Sequence, residues 1–397
     1  MPITSIDIEF LQSADGQDLL QRLTTEDLSD SNTLKLVMTL RQSYAPEQVN
    51  AGLMQARLRV KAVSKFGDLA SQMFFTDSAL QQASDLRIRS YRVDVLESAI
   101  TGSAILDVGC GIGADSLAFA SNANRVMGLD IDPLRIAIAT HNARVCGYDN
   151  LAFDIADVTE GIPADYNVVF FDPARRDESG RRIFDVNRYI PPLSLIRSWQ
   201  ASYIIVKLSP GVDVSQLESY EGGVEFISVD GDLKEAVLWQ GGGWHGYKAT
   251  LIRDNAIYHW MRDEMPDIPI REPSGWLVEP DPSIIRSGLV QDVAQVFDGA
   301  MLDETIAYFT TDTRPDSVWV RSWQILDWMP FNLKRLKAYL REHNVGQLTI
   351  KKRGSPITPE VLLKKLKLKG GEPRVLVLTR YRSLPIVLIC TSNHAIS

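Results

Sequence analysis

Cysteine is nearly absent from this chain. Cys110, Cys146 and Cys390 are the three in 397 residues, an odd number at spacings that support neither a disulfide framework nor a zinc site. Disulfide-stapled and metal-ribbon folds are thereby excluded, and a reducing, cytoplasmic compartment with no structural metal is expected. No apolar run approaches the roughly 18 residues that a membrane helix needs. The start, Met-Pro-Ile-Thr-Ser-Ile-Asp, lacks the basic and apolar stretches of a secretory signal. Internal repeats and low-complexity tracts are missing too. What is present is 45% hydrophobic and 23% charged, ordinary for a soluble globular protein. The length exceeds one core of usual size, so two or three domains are expected.

Positive charge is scarce overall and concentrated where it occurs. The formal net charge is −8, which argues mildly against nucleic acid. Yet residues 331–382 hold 14 Lys or Arg against 3 Asp or Glu, so the rest of the chain carries −19. A basic end on an acidic body reads as a directed anion-binding surface.

The most informative stretch is Ala104 to Asp115, Ala-Ile-Leu-Asp-Val-Gly-Cys-Gly-Ile-Gly-Ala-Asp. A short apolar run meets Asp107, then Gly109, Gly111 and Gly113 at alternate positions, then a helical pattern. Strand, glycine turn and helix form a nucleotide-cradling unit. The spacing is not the G-x-G-x-x-G of dinucleotide binders. A carboxylate at Asp107 suits a ligand with a cationic amino group and repels phosphate. Three further strand patterns end in acids. Arg125 to Asp130 puts Asp130 21 residues after Gly109, where a carboxylate can accept from both hydroxyls of a ribose. Asp132-Pro133 then opens a helix, Asp132 as cap. Leu151 to Asp157 and Val168 to Asp172 are the third and fourth patterns, and Asp172 is placed where cofactor and acceptor would meet.

On these residues the chain resembles the class I S-adenosylmethionine-dependent methyltransferases. The resemblance implies an α/β fold: a Rossmann-like class I methyltransferase sheet, with an N-terminal helical domain and a C-terminal α+β (THUMP-like) domain. It implies S-adenosyl-L-methionine as cofactor, held by Asp107, Gly109, Gly111, Gly113, Asp130, Ile131, Asp157, Val158 and Asp172. In that family the glycine loop wraps the amino-acid end of the cofactor, and the acid after the third strand contacts the adenine amino group. The order of Asp172-Pro173-Ala174-Arg175-Arg176, Lys207-Leu208-Ser209-Pro210-Gly211, Glu279 to Leu289 and a basic end is similar to bacterial methyltransferases with a THUMP-like C-terminal domain. The core is more remotely similar to trimethylguanosine-synthase-type RNA methyltransferases.

Methyl transfer from a sulfonium needs alignment and desolvation rather than a metal or covalent nucleophile. Asp172, Pro173 and Arg175 are the candidate catalytic group. The resembled amine methylases carry acid-Pro-Pro-aromatic here; Ala174 and Arg175 replace the last two, which puts base stacking on this loop in doubt. Arg175 and Arg176 either contact phosphate or pair with Asp177, Glu178 or another acid. None of the cysteines is well placed for attack on a pyrimidine, and His141 reads as a packing residue.

The expected partition is a helical domain over 1–98, the methyltransferase domain over 99–262, a Pro- and acid-rich linker over 263–282, and a basic α+β domain over 283–397. Lys65, Phe75, Thr76 and Gln82 belong to a helical cover. Lys351, Lys352, Arg353, Lys364, Lys365, Lys367 and Lys369 are the expected contacts to RNA, whose phosphates give affinity without sequence choice. The activity so implied is methylation of a ribosomal or transfer RNA nucleotide. A small-molecule or protein methyltransferase and a non-catalytic module are the alternatives; the four intact acids speak against the last.

Overall fold

A computed structural model describes residues 3–176 and 179–392. The chain divides into two compact units. One comprises the residues up to Gly223 together with Glu235–His245; the other comprises Val224–Lys234 and the residues from Gly246 onward.

The first unit begins with six helices: α1 Ser5–Gln12, α2 Ala14–Leu23, α3 Asp30–Leu40, α4 Pro46–Phe66, α5 Asp77–Gln82 and α6 Leu86–Ile100. Pro46 at the first turn of α4 starts that helix without losing a hydrogen bond. The alternating part follows: β1 Ala104–Val108, α7 Ala114–Phe119, β2 Arg125–Asp130, α8 Pro133–Cys146, β3 Leu151–Ile155, β4 Val168–Phe171 and β5 Tyr203–Leu208. β6 Gly223–Val229 falls almost wholly in the second unit, and β7 Asp232–Gln240 returns to this one from Glu235. Within this unit the strands pair in the order β3-β2-β1-β4-β5-β7, the first five parallel and β7 antiparallel to β5. β4 is buried at every position, as its unbroken Val-Val-Phe-Phe requires of a strand covered on both faces. The expected Rossmann-like sheet is present.

The helical cover has one apolar cluster of its own, Leu19, Leu23, Leu36, Leu40, Val49 and Leu53, and shares a second with the sheet layer. Leu11, Leu58, Phe66, Phe74 and Phe75 share one apolar cluster with Ile112 and Leu117 around α7 and with Ile138 of α8. Phe74 and Phe75 are fully buried, each stabilising by about 1.5–3 kcal/mol relative to exposure. One apolar cluster therefore spans the boundary expected at residue 98.

The second unit holds β8 Gly246–Arg253, β9 Ala256–Met261, β10 Trp276–Pro280, α9 Pro282–Arg286, α10 Val290–Val296, β11 Ala300–Met301, β12 Phe309–Thr311 and β13 Val320–Pro330. It continues with α11 Leu333–Glu342, β14 Val345–Lys352, α12 Pro359–Leu366, β15 Glu372–Tyr381 and β16 Leu384–Cys390. Its sheet runs β11-β12-β10-β13-β16-β15-β14. β14 and β15 are parallel, with α12 as the crossover between them. Two expectations need correction. The unit begins before residue 262, because Ala249 and Leu251 of β8 bury against Val278, Ile284 and Val293. The supposed linker 263–282 contains β10, paired on both sides with β12 and β13. Its prolines flank the strand, so composition alone read it as a loop.

Candidate active site

The strand order reverses between β1 and β4, and ligands of open α/β sheets sit at such a point, beyond the carboxyl ends. Val108 lies opposite both Leu129 of β2 and Phe171 of β4. Gly109, Asp130 and Asp172 therefore emerge at one level. Gly109 has φ 77°, and a Cβ there would stand 2.7 Å from the Asp172 carbonyl oxygen. Glycine is required on both counts. Gly111 and Gly113 also take left-handed conformations, at 58° and 83°. A Cβ on Gly113 would press Phe153 at 2.9 Å, whereas one on Gly111 would meet nothing within 4 Å. The loop thus leaves open, Cβ-free space beside Gly111.

Asp107 is buried within β1. The Ser116 hydroxyl donates to its Oδ2, while Oδ1 is buried with no hydrogen-bond partner. Burial, reinforced by the charge of Asp115, pushes its carboxyl up to about 8. Asp130 is also buried. It accepts from the amides of Gly111 and Asp132, both at 3.0 Å, with Arg135 Nη1 at 3.5 Å. Its carboxylate therefore shapes the glycine loop as well as facing it. Ile131 beside it is 66% exposed. Asp132 caps α8 through the Leu134 amide at 2.9 Å. Asp157 is exposed past β3; the hydroxyl and amide of Thr159, at 2.6 and 2.9 Å, hold its carboxyl below the ordinary range. Val158 is buried.

Asp172 opens the loop after β4. Lys207 is level with it on β5 and donates to Asp172 Oδ2 at 2.7 Å and to the Gln82 carbonyl at 3.2 Å. Arg175 Nη2 lies 3.8 Å from Asp172 Oδ1, and its Nη1 donates to the Leu208 carbonyl at 2.9 Å. Pro173 is buried. Ala174 exchanges backbone hydrogen bonds with Ile190 at 2.8 and 3.1 Å, which fixes the loop. The Arg175 guanidinium is thus turned toward the end of β5. Arg176 is exposed and donates to the Gly180 carbonyl at 3.0 Å. Asp177 and Glu178, weighed as partners for these arginines, lie outside the described residues.

Sequence reasoning missed Arg92, Asp115, Lys207 and Glu235. Arg92 is 1% exposed and pairs with both Asp115 and Glu235, its guanidinium 4.6 Å from the Phe170 ring centre. Burial opposes its charge, but Asp115 and Glu235 raise its pKa above the usual value. Burial likewise opposes ionisation of Asp115, and Arg92 and Lys207 overcome that and hold it low. A signal for Lys207 was available: a lysine near the end of the otherwise apolar Tyr203–Leu208 has to find a partner. Arg92 carried none, because its partners are 23 and 143 residues away.

The helical cover meets this site through Gln82, whose carbonyl receives Lys207. Lys65 instead donates to the carbonyls of Leu80, Gln81 and Ala83, Thr76 caps α5 and Phe75 is core. His141 stacks on Phe74 with ring centres 4.2 Å apart and is a packing residue. Cys110 is buried with its thiol driven well above the ordinary value, chiefly by burial. Cys146 ends α8, and Cys390, in β16, is pushed up to about 12 by burial. Among the described residues there is no cluster of His, Cys, Asp or Glu able to hold a metal, and no helix is long and apolar enough to cross a membrane.

The basic residues of the second unit sort into two sets. Lys351 is 2.5 Å and Arg353 3.8 Å from Glu279, and they lie over Trp323 and Tyr308. These two are internal counter-ions and not the outward phosphate contacts expected. Lys352, Lys364, Lys365, Lys367 and Lys369 are exposed, as are Lys334, Arg335 and Arg341 of α11. Leu336, Leu340, Leu362 and Leu366 bury α11 and α12 against Leu376, Leu378 and Ile389. Both helices therefore cover the same face of the sheet with their cations outward.

An S-adenosylmethionine-dependent methyltransferase of Mycobacterium tuberculosis strain H37Rv, Rv3037c, is 34% identical over 334 residues, covering 81% of this chain and 90% of the relative. The chain belongs to the S-adenosylmethionine-dependent methyltransferases. A methyltransferase domain family matches residues 101–190 of this methyltransferase. A THUMP domain-like family matches 320–392, and a domain of unknown function matches 5–62. A crystal structure from Porphyromonas gingivalis W83 has the same fold, with TM-score 0.75 over 94% of this chain and 96% of that one at 18% identity. A 58-residue stretch is 43% identical to the 23S rRNA (uracil(1939)-C(5))-methyltransferase RlmD of Marinomonas sp. strain MWYL1, covering 15% of this chain and 13% of that protein.

The protein therefore uses S-adenosylmethionine, and the residues at the switch point suit it. There is open space beside Gly111, and Asp107 Oδ1 is buried without a hydrogen-bond partner, an atom that an ammonium group would satisfy.

Proposed function

We propose that this enzyme methylates a nucleotide of ribosomal or transfer RNA. The observation that carries the proposal is the exposed cationic face of α11 and α12, on the segment similar to THUMP domains. Lys352, Lys364, Lys365, Lys367 and Lys369 would contact phosphates, aided by Lys334, Arg335 and Arg341. The short likeness to an enzyme named for 23S rRNA supports the same acceptor class.

In this reading Gly109, Gly111 and Gly113 cradle the amino-acid end of the cofactor and Asp107 faces its ammonium group. Asp130 accepts from the ribose hydroxyls, with Ile131 beside it. Asp157 and Val158 flank the adenine. The bound cofactor supplies an electrophilic methyl group on a sulfonium. The protein's share is alignment and exclusion of water. Asp172, placed between Lys207 and Arg175, accepts a hydrogen bond from the acceptor group, and Pro173 and Arg175 fix that loop.

The test is incubation of the full chain with labelled S-adenosylmethionine and total cellular RNA, protein and metabolites. Label in ribosomal or transfer RNA is expected. Label in a protein or a small molecule, with RNA unlabelled, overturns the proposal.

A further inference from the structure

Besides the lysine-covered helices, the second unit carries a shallow pocket of about 470 Å³, lined by Trp276, Arg314, Gln324, Leu326, Arg374, Thr391 and Ser392. It spans adjacent strands. Trp276 of β10 is directly opposite Gln324 of β13. The Gln324 carbonyl accepts from the Thr391 amide at 3.1 Å, just past β16, and β15 beyond it brings Arg374. Side chains alternate along a strand. Leu277, Trp323 and Val375 point into one core, so Trp276, Gln324 and Arg374 take the opposite face. That is the face of Leu376 and Leu378, on which α11 and α12 pack. The charge of Arg374 is also felt by Tyr339 of α11. The pocket and the cationic helices therefore belong to one surface.

The chemistry of the lining is specific. Trp276 is partly exposed and Leu326 exposed beside it, a flat apolar floor. The Arg314 guanidinium carbon is 5.8 Å from the Trp276 ring centre. Gln324 is exposed and offers both donors and an acceptor. Arg374 is engaged through Nη1 with the Pro373 carbonyl at 2.6 Å and Glu372 at 3.5 Å, leaving the other edge of its fork directed elsewhere. Thr391 and Ser392 add hydroxyls, and among the described residues no carboxylate stands in the lining. An aromatic floor, an amide and two guanidiniums match a base, its edge and its phosphates, the combination by which unpaired nucleotides are held. A duplex hides its base faces and would have no use for the tryptophan.

We infer that this pocket binds one unpaired nucleotide of a single-stranded RNA segment, its base on Trp276 and its phosphates on Arg314 and Arg374. The inference rests on the RNA reading above and adds a preference for single strands. The test measures binding of the full chain to a short fluorescent single-stranded oligoribonucleotide and to a blunt RNA duplex. Trp276→Leu is expected to weaken single-strand binding about tenfold, which is about 1.4 kcal/mol, and to leave duplex binding within about twofold. Arg374→Gln and Arg314→Gln should act in the same direction and keep the test open if Trp276→Leu fails to fold. Replacing Lys364 and Lys365 by Gln should weaken both ligands and flatten the salt dependence. RNA binding with equal losses on both ligands, or with none from any pocket variant, overturns this inference and leaves the RNA reading standing. Failure of the unmodified chain to bind either RNA overturns the RNA reading itself.

Discussion

Replacing Asp107 by Asn tests the cofactor site directly. Burial holds this carboxyl near 8, against an ordinary value of 3.8, so the free protein at neutral pH keeps it mostly protonated. Three consequences follow for an acid whose pKa is raised on folding. Its contribution to stability is complete below about pH 4 and is lost as the pH rises toward 8. The loss is at most about 1.4 kcal/mol per pH unit, or roughly 2 kcal/mol between about pH 6 and pH 8. An ammonium group placed against Oδ1 favours the ionised form instead. S-adenosylmethionine should then bind more tightly as the pH rises over that window, by up to about tenfold per unit, and should release up to one proton on binding in the same window. Calorimetric titration in two buffers of different ionisation enthalpy counts that proton. Urea unfolding without cofactor reads the stability. In Asp107→Asn both pH dependences should flatten, and the residual slope reports the cofactor's own amino group. A wild-type affinity that is level from about pH 6 to pH 9, or a slope the Asn variant retains, would refute the placement of the ammonium at Asp107.

Other substitutions separate roles within the site. Asp130→Ala removes the proposed ribose acceptor and the partner of the Gly111 and Asp132 amides, so cofactor Kd should rise at least about tenfold; an unchanged titration rules out the assignment. Gly109→Ala forces a left-handed alanine against the Asp172 carbonyl and should destabilise the protein by roughly 1–3 kcal/mol, read by denaturant midpoint. Lys207→Met frees Asp172 and should lower kcat while leaving cofactor affinity near wild type; a loss in cofactor affinity alone would assign Lys207 to the cofactor. Arg92→Leu strands Asp115 and Glu235 and should cost about 3–5 kcal/mol; a change below about 1 kcal/mol would show that they find other partners.

The glycine loop and its acids were legible because each depends on near neighbours. Alternate glycines, an acid at each strand end and a proline after a capping Asp are local signals, and each came out in place in the sheet. The buried ion pairs were not legible. Arg92 reads as one charge among several on a helix, and only packing shows that it closes on Asp115 and Glu235. β13 escaped because a register shift between Ile325 and Asp327 breaks the alternation that marks a strand. β10 escaped because prolines flank it. Lys351 and Arg353 looked like their neighbours in a basic run until Glu279 turned up between them.

The sequence by itself determined the class of enzyme, the glycine loop after β1 and the concentration of positive charge near the C-terminus, since all three are written in contiguous stretches. Tertiary structure alone decided which charges are paired and which face outward. It also decided that the N-terminal helices share an apolar cluster with the layer that carries the glycine loop, and that distant residues from β10, β13, β15 and the end of β16 help assemble one pocket. Such pairings depend on strand register and on removing ions from water, which act across long stretches of chain and leave little local pattern.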